Sequence, residues 1–200
     1  STPNSNRLEV IDPATGETLV FHSDQKGFGD FSVVAHGIRE AGLKCPTCAQ
    51  ALLLARTVWD EPEHEPFASI IEAMQRRWLW TDTAILYVPD KGLYIRDHPR
   101  LKPVEEPMLT EMSGKGIELD EEELATELAG GNPDVRFVPF GFRAGEMEAE
   151  DLGKHPVVRA LAGGPEQAQL LTELAAHYPR KPFLNCFEGV EQTRARVVCL

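Results

Sequence analysis

The sequence predicts a single α+β domain over residues 1–200, with several short helices packed on a mainly antiparallel sheet. Helical and strand-like segments are interspersed, and the clearest strand pair is an antiparallel hairpin over residues 84–96. The sustained strand, helix, strand alternation that is typical of a doubly wound fold is not found in the sequence. The length of 200 residues is within the range of one hydrophobic core.

The first elements are a hairpin and a helix. The hairpin is predicted over residues 8–22, because a turn that contains Pro13 and Gly16 separates two short apolar runs. A helix is then predicted from Asp30, a residue suited to cap its N-terminus, to Gly42, which ends it. Its apolar residues recur at helical spacing, so one face should contact the core.

Two more helices and the second hairpin follow. Thr47 and Gln50 have the spacing of a capping box, in which each side chain satisfies a backbone N–H at the start of a helix. That helix must end before Pro62. The next helix is predicted from Pro66, and the second hairpin over residues 84–96 has a Pro-Asp-Lys-Gly turn between two apolar runs.

The second half begins with a segment at about residues 99–122 that is predicted to be acidic and exposed. Asp120 should cap a helix that ends at Gly130. A strand is predicted over residues 135–142, and Pro139 should place it at a sheet edge or a bulge because proline donates no hydrogen bond. The remaining predictions are two helices, 156–162 and 165–177, and two strands, 183–187 and 194–200.

The formal net charge of −12 is concentrated in one part of the chain. Residues 105–151 hold 14 acidic and 3 basic side chains, and the remainder is nearly neutral. Because phosphate backbones are bound by lysine and arginine, a field of this sign argues against nucleic acid and anionic membranes as partners.

The expected location is the cytoplasm. No apolar run approaches the roughly 20 residues that a membrane helix needs. The first residues have no secretory signal pattern, although a chain that begins at Ser1 is compatible with a removed leader. Four cysteines in 200 residues are too few for a small disulfide framework, which favours reduced thiols.

Cys45 and Cys48 form the one conspicuous chemical motif, since two thiols at this spacing can share a metal ion or form a disulfide. As a catalytic pair, Cys48 would lie in the first turn of a helix, where a thiolate is stabilised, and His36 is the candidate partner on the preceding helix. As a zinc site, the pair would need Cys186 and Cys199 as further ligands. The alternative is that these cysteines fill core space, so the prediction is no cofactor, with zinc as the competing hypothesis.

A resemblance to a known family is carried by Leu43–Gln50 (LKCPTCAQ), followed by Ala55 and Arg56, and by the closing Arg196–Val198. These segments resemble C-type-lectin-like domains of formylglycine-generating enzymes and of retroelement-diversified variable proteins. In those domains a helix ends just before the motif, a second helix begins at the threonine, and the chain closes on an arginine, valine, valine strand. The resemblance implies a lectin-like α+β fold whose loops present a binding surface.

The sequence departs from that family at two points. Cys48 and Gln50 stand where the family usually has acidic residues, and the family's glycine, glycine, serine, tryptophan segment is not found. The resemblance therefore carries over no catalytic cysteine. Residues 78–88 and 135–142 also resemble segments of uncharacterised prokaryotic proteins, which implies no function.

The leading functional hypothesis is a non-catalytic module that recognises a protein or a small ligand. Hairpins and polar loops on a helical scaffold favour recognition, and the sequence has no convergent nucleophile, base and cofactor signature. One alternative is a thiol-dependent or zinc-containing enzyme that uses Cys45 and Cys48. Another is a structural subunit of an assembly, in which the strand over residues 194–200 pairs with another chain.

Overall fold

A computed structural model describes residues 7–13, 15–22, 29–60, 62–63, 67–76, 79–102, 116–175 and 180–200. The strands in this part of the chain are β1 (Arg7–Ile11), β2 (Thr18–His22), β3 (Trp80–Val88), β4 (Gly92–Asp97), β5 (Arg100–Leu101), β6 (Ile117–Glu118), β7 (Val135–Pro139), β8 (Gly145–Glu146), β9 (Phe183–Leu184) and β10 (Arg194–Cys199). The helices are α1 (Phe31–Glu40), α2 (Cys48–Asp60), α3 (Phe67–Arg76), α4 (Glu121–Ala129), α5 (Ala149–Leu152), α6 (Pro156–Ala162) and α7 (Pro165–Ala175).

The central element is a four-stranded antiparallel sheet with the order β10-β3-β4-β7. The tight turn between β3 and β4 sets the register, because the Lys91 N–H donates to the Val88 carbonyl at 3.2 Å and Val88 pairs with Gly92. Asp90 accepts a positive φ of 59° in this turn. Strand β10 brings the last described residues back beside β3, at one edge of the sheet.

Helices cover both faces of this sheet. On one face, side chains from β3, β4 and β7 pack against the start of α2 and against α6, and the buried members of this cluster are Cys48, Ile85, Tyr87, Leu93, Ile95, Val138, Phe142, Val157 and Leu161. The other face packs against α1, β6 and α4 through Phe31, Ala35, Ala84, Leu86, Val88, Tyr94, Ile117, Leu124, Val135 and Val197. The arrangement is three layers, with the sheet in the middle.

The N-terminal hairpin and the remaining helices extend the first helical layer. Leu8 and Val10 point from β1 onto Leu54 and Val58 of α2, and Ile71 of α3 completes this cluster. Alternate residues of β1 are buried, as expected for a strand that covers a core with one face. Helices α6 and α7 pack against α2 through a further apolar cluster.

The predicted α+β class is confirmed, and so are both predicted hairpins. Pro139 lies on the edge strand β7, where its missing N–H costs no ladder hydrogen bond. The Asp120 carboxylate accepts from the Glu123 N–H at 2.9 Å and caps α4 as expected. Asp30 occupies the N-cap of α1, but its side chain makes no capping hydrogen bond.

Two predicted strands are shorter in the structure. The strand expected over residues 135–142 ends at Pro139, and the chain then turns at Gly141, whose φ is 114°. The strand expected over 183–187 is only Phe183–Leu184, because its partner β8 is two residues long. Strands β5, β6 and β8 and helix α5 were not predicted, since two to four residues carry too little periodicity to detect.

Several predictions lie partly outside the described residues. Pro66, Trp78 and His177 belong to that undescribed part, as do residues 103–115 of the segment at 99–122. At the two ends of that segment, Arg100–Leu101 and Ile117–Glu118 pair as antiparallel strands. Among the described helices, none combines the length and the apolar character that crossing a membrane requires.

Candidate functional site

The cysteine motif lies where α2 begins, beneath the sheet. The capping box forms as predicted: the Thr47 N–H donates to Gln50 Oε1 at 3.0 Å, and the Gln50 N–H donates to Thr47 Oγ1 at 3.3 Å. Cys48 is the first residue of the helix and is 1% exposed, and Cys45 is 7% exposed. The Cys45 thiol donates to the Trp80 carbonyl at 3.5 Å.

Burial governs the chemistry of these thiols. It raises the pKa of both the Cys45 and the Cys48 thiol to about 12, with nearby carboxylates, Asp82 and Asp97 respectively, adding to the effect. Burial likewise raises the pKa of Cys186 to about 11 and raises that of Cys199. An activated nucleophilic cysteine needs the opposite shift, so the geometry does not support the thiol-dependent enzyme.

The structure also places the other candidate residues of the thiol and zinc hypotheses. His36 lies on α1, where its Nε2 is 3.5 Å from the Lys102 carbonyl. Cys48 and Cys186 belong to the same apolar cluster beneath the sheet. Among the residues that the structure describes, no three histidine, cysteine, aspartate or glutamate side chains are grouped so as to hold a metal ion. Zinc binding by Cys45, Cys48, Cys186 and Cys199 stays the competing hypothesis, and this geometry does not support it.

A buried polar network connects the start of α2 to three strands of the sheet, and the sequence analysis missed it. The Cys48 N–H donates to Thr83 Oγ1 at 2.8 Å, and that hydroxyl donates to Asp97 Oδ1 at 2.5 Å. Asp97 Oδ2 is 2.7 Å from the Arg136 guanidinium on β7. The contact between Thr83 and Asp97 could have been predicted, because the register of the predicted hairpin places these two residues opposite each other. Thr83 and Asp97 are buried, so this network joins the start of α2 to the interior of the sheet.

A histidine and carboxylate pair lies beside this network. His98 Nδ1 is 2.7 Å from Asp82 Oδ2, and the His98 backbone N–H donates to the Asp82 carbonyl at 2.8 Å. The Asp82 side chain is 9% exposed and that of His98 is 48% exposed. The hydrogen bond to Asp82 raises the pKa of His98, with smaller contributions from the charges of Asp134 and Asp97.

This pair predicts a pH dependence of stability. Because the pKa of folded His98 is raised, the stabilisation is fully present below the unfolded value near 6.5 and is lost as pH rises through the folded pKa. We therefore expect urea midpoints to fall between about pH 6 and pH 8. His98→Asn should remove most of that fall, since asparagine tolerates the positive φ of 55° but does not titrate.

His36→Asn is the matched control for the pH experiment, and it should keep the parent's fall in urea midpoint. A parent protein whose midpoint is constant over this range would contradict the role assigned to the pair of His98 and Asp82.

A second candidate site is formed by loops at the β10 edge of the sheet. The Phe187 ring packs edge-on against Tyr87 with centroids 5.1 Å apart. The guanidinium carbons of Arg194 and Arg196 lie 5.6 and 5.0 Å from the centroid of the same Phe187 ring. Both arginines are on one face of β10 because they are two positions apart. Each contact is within cation–π distance.

The neighbouring loop completes this surface. Strand β8 pairs with β9, and the Ala144 N–H donates to Glu188 Oε1 at 2.7 Å, so residues 143–146 lie beside 183–188. Phe183 on β9 is 69% exposed, and Arg143 is exposed. We call Arg143, Phe183, Phe187, Arg194 and Arg196 the basic loop surface. Within the described part of the chain, none of its three arginines forms an ion pair.

Sequence patterns could indicate only part of this surface. Alternation on a predicted strand could have placed Arg194 and Arg196 on one face. Phe187 was assigned to a strand, however, and its stacking under both arginines depends on the loop between β9 and β10.

Comparison with known proteins gives one informative match. No family model matches the sequence, and no curated protein matches it. A solved structure, described as accommodation of massive sequence variation in Nanoarchaeota by the C-type lectin fold, is similar with a TM-score of 0.55 and 12% sequence identity. The match covers 86% of this chain and 83% of that chain. This chain has a C-type lectin fold.

The lectin fold agrees with the outline that the sequence resemblance implied. Helix α1 ends before the cysteine motif, α2 begins directly after Thr47, and Arg196–Val198 lies in the closing strand β10. At the two positions where acidic residues were expected, Cys48 is buried beneath the lectin-fold sheet and Gln50 completes the capping box. The fold and the helix cap are therefore formed despite both departures.

Proposed function

We propose that this chain is a non-catalytic recognition module that binds an acidic segment of a partner protein through the basic loop surface. The observation that carries the proposal is the pair Arg194 and Arg196, stacked on Phe187 and without a carboxylate partner among the described residues. Arginine and aromatic side chains are the residues most enriched at the energetic centres of protein interfaces.

The charge of the surface favours carboxylates as its ligands. Arginine presents a planar fork of donors that matches a carboxylate, and stacking on Phe187 holds the two guanidinium groups in place before binding. Glu188, which directly follows Phe187, is already engaged by the Ala144 N–H. Phe183 on β9, four residues before Phe187, supplies an exposed apolar side chain.

The fold supports this use of the loops. The similar structure is described as accommodating massive sequence variation. A rigid core that carries loops of variable sequence is suited to recognition, because the loops can change without loss of packing. We further propose that the chain works in a reducing compartment such as the cytoplasm, where its four cysteines stay free.

The test is selection of random peptides displayed on phage against the parent protein, followed by synthesis of the enriched sequences. We expect peptides rich in glutamate and aspartate with an aromatic or aliphatic residue. Arg194→Gln together with Arg196→Gln should weaken their binding by about tenfold or more, since each charge-assisted hydrogen bond contributes roughly 1.5–3 kcal/mol. Binding should also weaken with added salt.

The matched control is Arg7→Gln together with Arg39→Gln, which removes the same charge from two exposed positions on β1 and α1. It should leave the affinity within about twofold, because distant exposed charges are screened. Equal losses in both double variants would show attraction by net charge alone. Failure to enrich acidic peptides would contradict the proposal.

A further inference from the structure

The outer edge of β10 carries two of the arginines of the basic loop surface. Strand β10 lies at one end of the sheet order, and its inner edge pairs with β3 through residues 194–197. In the described part of the chain, no backbone group outside that ladder bonds to residues 194–197. Because a strand in an antiparallel ladder directs alternate N–H and C=O groups to its two sides, alternate backbone groups of this segment point outward, where none of the described strands lies.

The open part of this edge ends at a bulge. The register of β10 with β3 shifts between Val197 and Cys199. At the bulge, the Val198 carbonyl already accepts from the Thr81 hydroxyl at 2.8 Å. Bulges bend a strand and interrupt its pairing. The segment that can accept another strand is therefore 194–197, the part of β10 that holds both arginines.

The two faces of this edge segment differ in chemistry. The β3 partners of Arg194 and Arg196 are buried on the side of the sheet that α2 and α6 cover, and both arginines stack on Phe187 on that side. Ala195 and Val197 point the other way, into the apolar cluster with α1. A strand that lies along this edge would therefore meet a basic face and an apolar face in alternation.

The acidic side chains of the same loop leave the two arginines available. That loop carries Glu188 and Glu191. Glu188 Oε1 accepts from the Ala144 N–H, and neither glutamate forms an ion pair within the described part of the chain. Arg194 is exposed and Arg196 is partly exposed, so solvent reaches both residues.

A second copy of this strand would be a poor occupant of the edge. Two antiparallel β10 strands would place four arginines on one face of the joined sheet, and like charges on neighbouring strands repel. Charged side chains on edge strands commonly oppose self-association in this way. The same arginines favour a strand that is acidic on that face, because opposite charges across a strand pair stabilise it.

We infer that the acidic partner segment binds as an added β-strand along residues 194–197, with acidic side chains at alternate positions beside Arg194 and Arg196. This inference rests on the proposed function and adds to it the conformation and the spacing of the partner. Alternate residues of a strand are about 7 Å apart, so carboxylates at positions i and i+2 match the two arginines. In this mode of recognition, main-chain hydrogen bonds supply affinity and alternate side chains supply specificity.

Two peptides of equal composition and charge test the spacing. In acetyl-TVEVEVT-amide the glutamates are two positions apart, whereas in acetyl-TVEEVVT-amide they are adjacent and would point to opposite faces of a strand. We expect the first peptide to bind the parent protein about tenfold more tightly in calorimetry, because only it places both carboxylates beside the arginines. Equal affinities would overturn the inference. So would the absence of binding by the first peptide to a protein that binds the display-selected acidic peptides.

Backbone methylation tests the hydrogen-bond ladder separately from charge. Alternate N–H groups of an added strand point towards β10 and towards solvent, and the two glutamates of the first peptide point the same way. Methylating both glutamate nitrogens and, in a second isomer, two of the valine nitrogens should therefore give different results. One isomer should lose affinity by about tenfold or more, and the other should stay within about threefold of the unmethylated peptide. Two isomers of equal affinity would contradict the strand geometry.

The outcome is separable from that of the proposed function. Arg194→Gln together with Arg196→Gln should weaken the first peptide by about tenfold or more, and the control Arg7→Gln with Arg39→Gln should not. If acidic peptides need these arginines but tolerate adjacent glutamates and methylation at every position, the strand inference is wrong and the proposed function stands. If no acidic peptide binds the parent protein, the proposed function is wrong, and the strand inference with it.

Discussion

Replacing Asp97 with alanine is expected to lower the free energy of unfolding by about 3 kcal/mol, the low end of the range for breaking a buried ion pair. The Asp97 side chain is 10% exposed and that of Arg136 is 23% exposed. Two further nitrogens of Arg136, Nε and Nη2, are buried without hydrogen-bond partners among the described residues. Loss of the carboxylate would leave this guanidinium uncompensated and would also remove the acceptor of the Thr83 hydroxyl.

Urea denaturation followed by circular dichroism measures this loss. The matched control is Arg100→Gln, which breaks an exposed pair with Glu123 and should cost less than about 1 kcal/mol. The second variant, Asp97→Ala with Arg136→Met, should recover part of the loss because no unpaired charge remains. A loss for Asp97→Ala as small as that of the control would mean that the polar network does not hold α2 to the sheet.

Gly92→Ala is expected to destabilise the protein by about 3 kcal/mol, at the upper end of the usual cost of overpacking. A Cβ at Gly92 would lie 2.2 Å from the Val138 carbonyl oxygen and 2.7 Å from the Pro139 Cα, and both are backbone atoms that cannot rotate away. The φ of Gly92 is also 155°, a value that side chains rarely permit. Strand β7 would have to separate from β4, or the β3–β4 turn would have to change.

The control is Gly189→Ala, because an added Cβ there meets no atom within 4 Å. That variant should have an unfolding midpoint close to that of the parent. Thermal and urea denaturation of the two proteins compare them directly. A Gly92→Ala protein as stable as Gly189→Ala would show that the approach of β7 to the turn is not a constraint on the sheet.

Local patterns predicted much of this fold from the sequence. The hairpin turn with Gly92, the capping pair of Thr47 and Gln50, and the edge position of Pro139 depend on a few neighbouring residues, and the structure confirms each of them. The pairing of β10 with β3 joins segments more than 100 residues apart, and single-sequence periodicity does not encode it.

The candidate sites were less predictable, because both depend on contacts between distant segments. The spacing of Cys45 and Cys48 indicated a possible chemical site, yet burial makes both thiols poor nucleophiles. The stacking of Arg194 and Arg196 on Phe187 requires the path of a loop, which no sequence period specifies.

We propose that this lectin fold recognises an acidic partner through its basic loop surface. The most direct test is amide NMR of the isotope-labelled parent, titrated with the peptide that display selects. We expect shift changes confined to residues 143–146, 183–188 and the start of β10. Changes centred instead on β1, β2 and α3, with residues 183–196 unaffected, would contradict it.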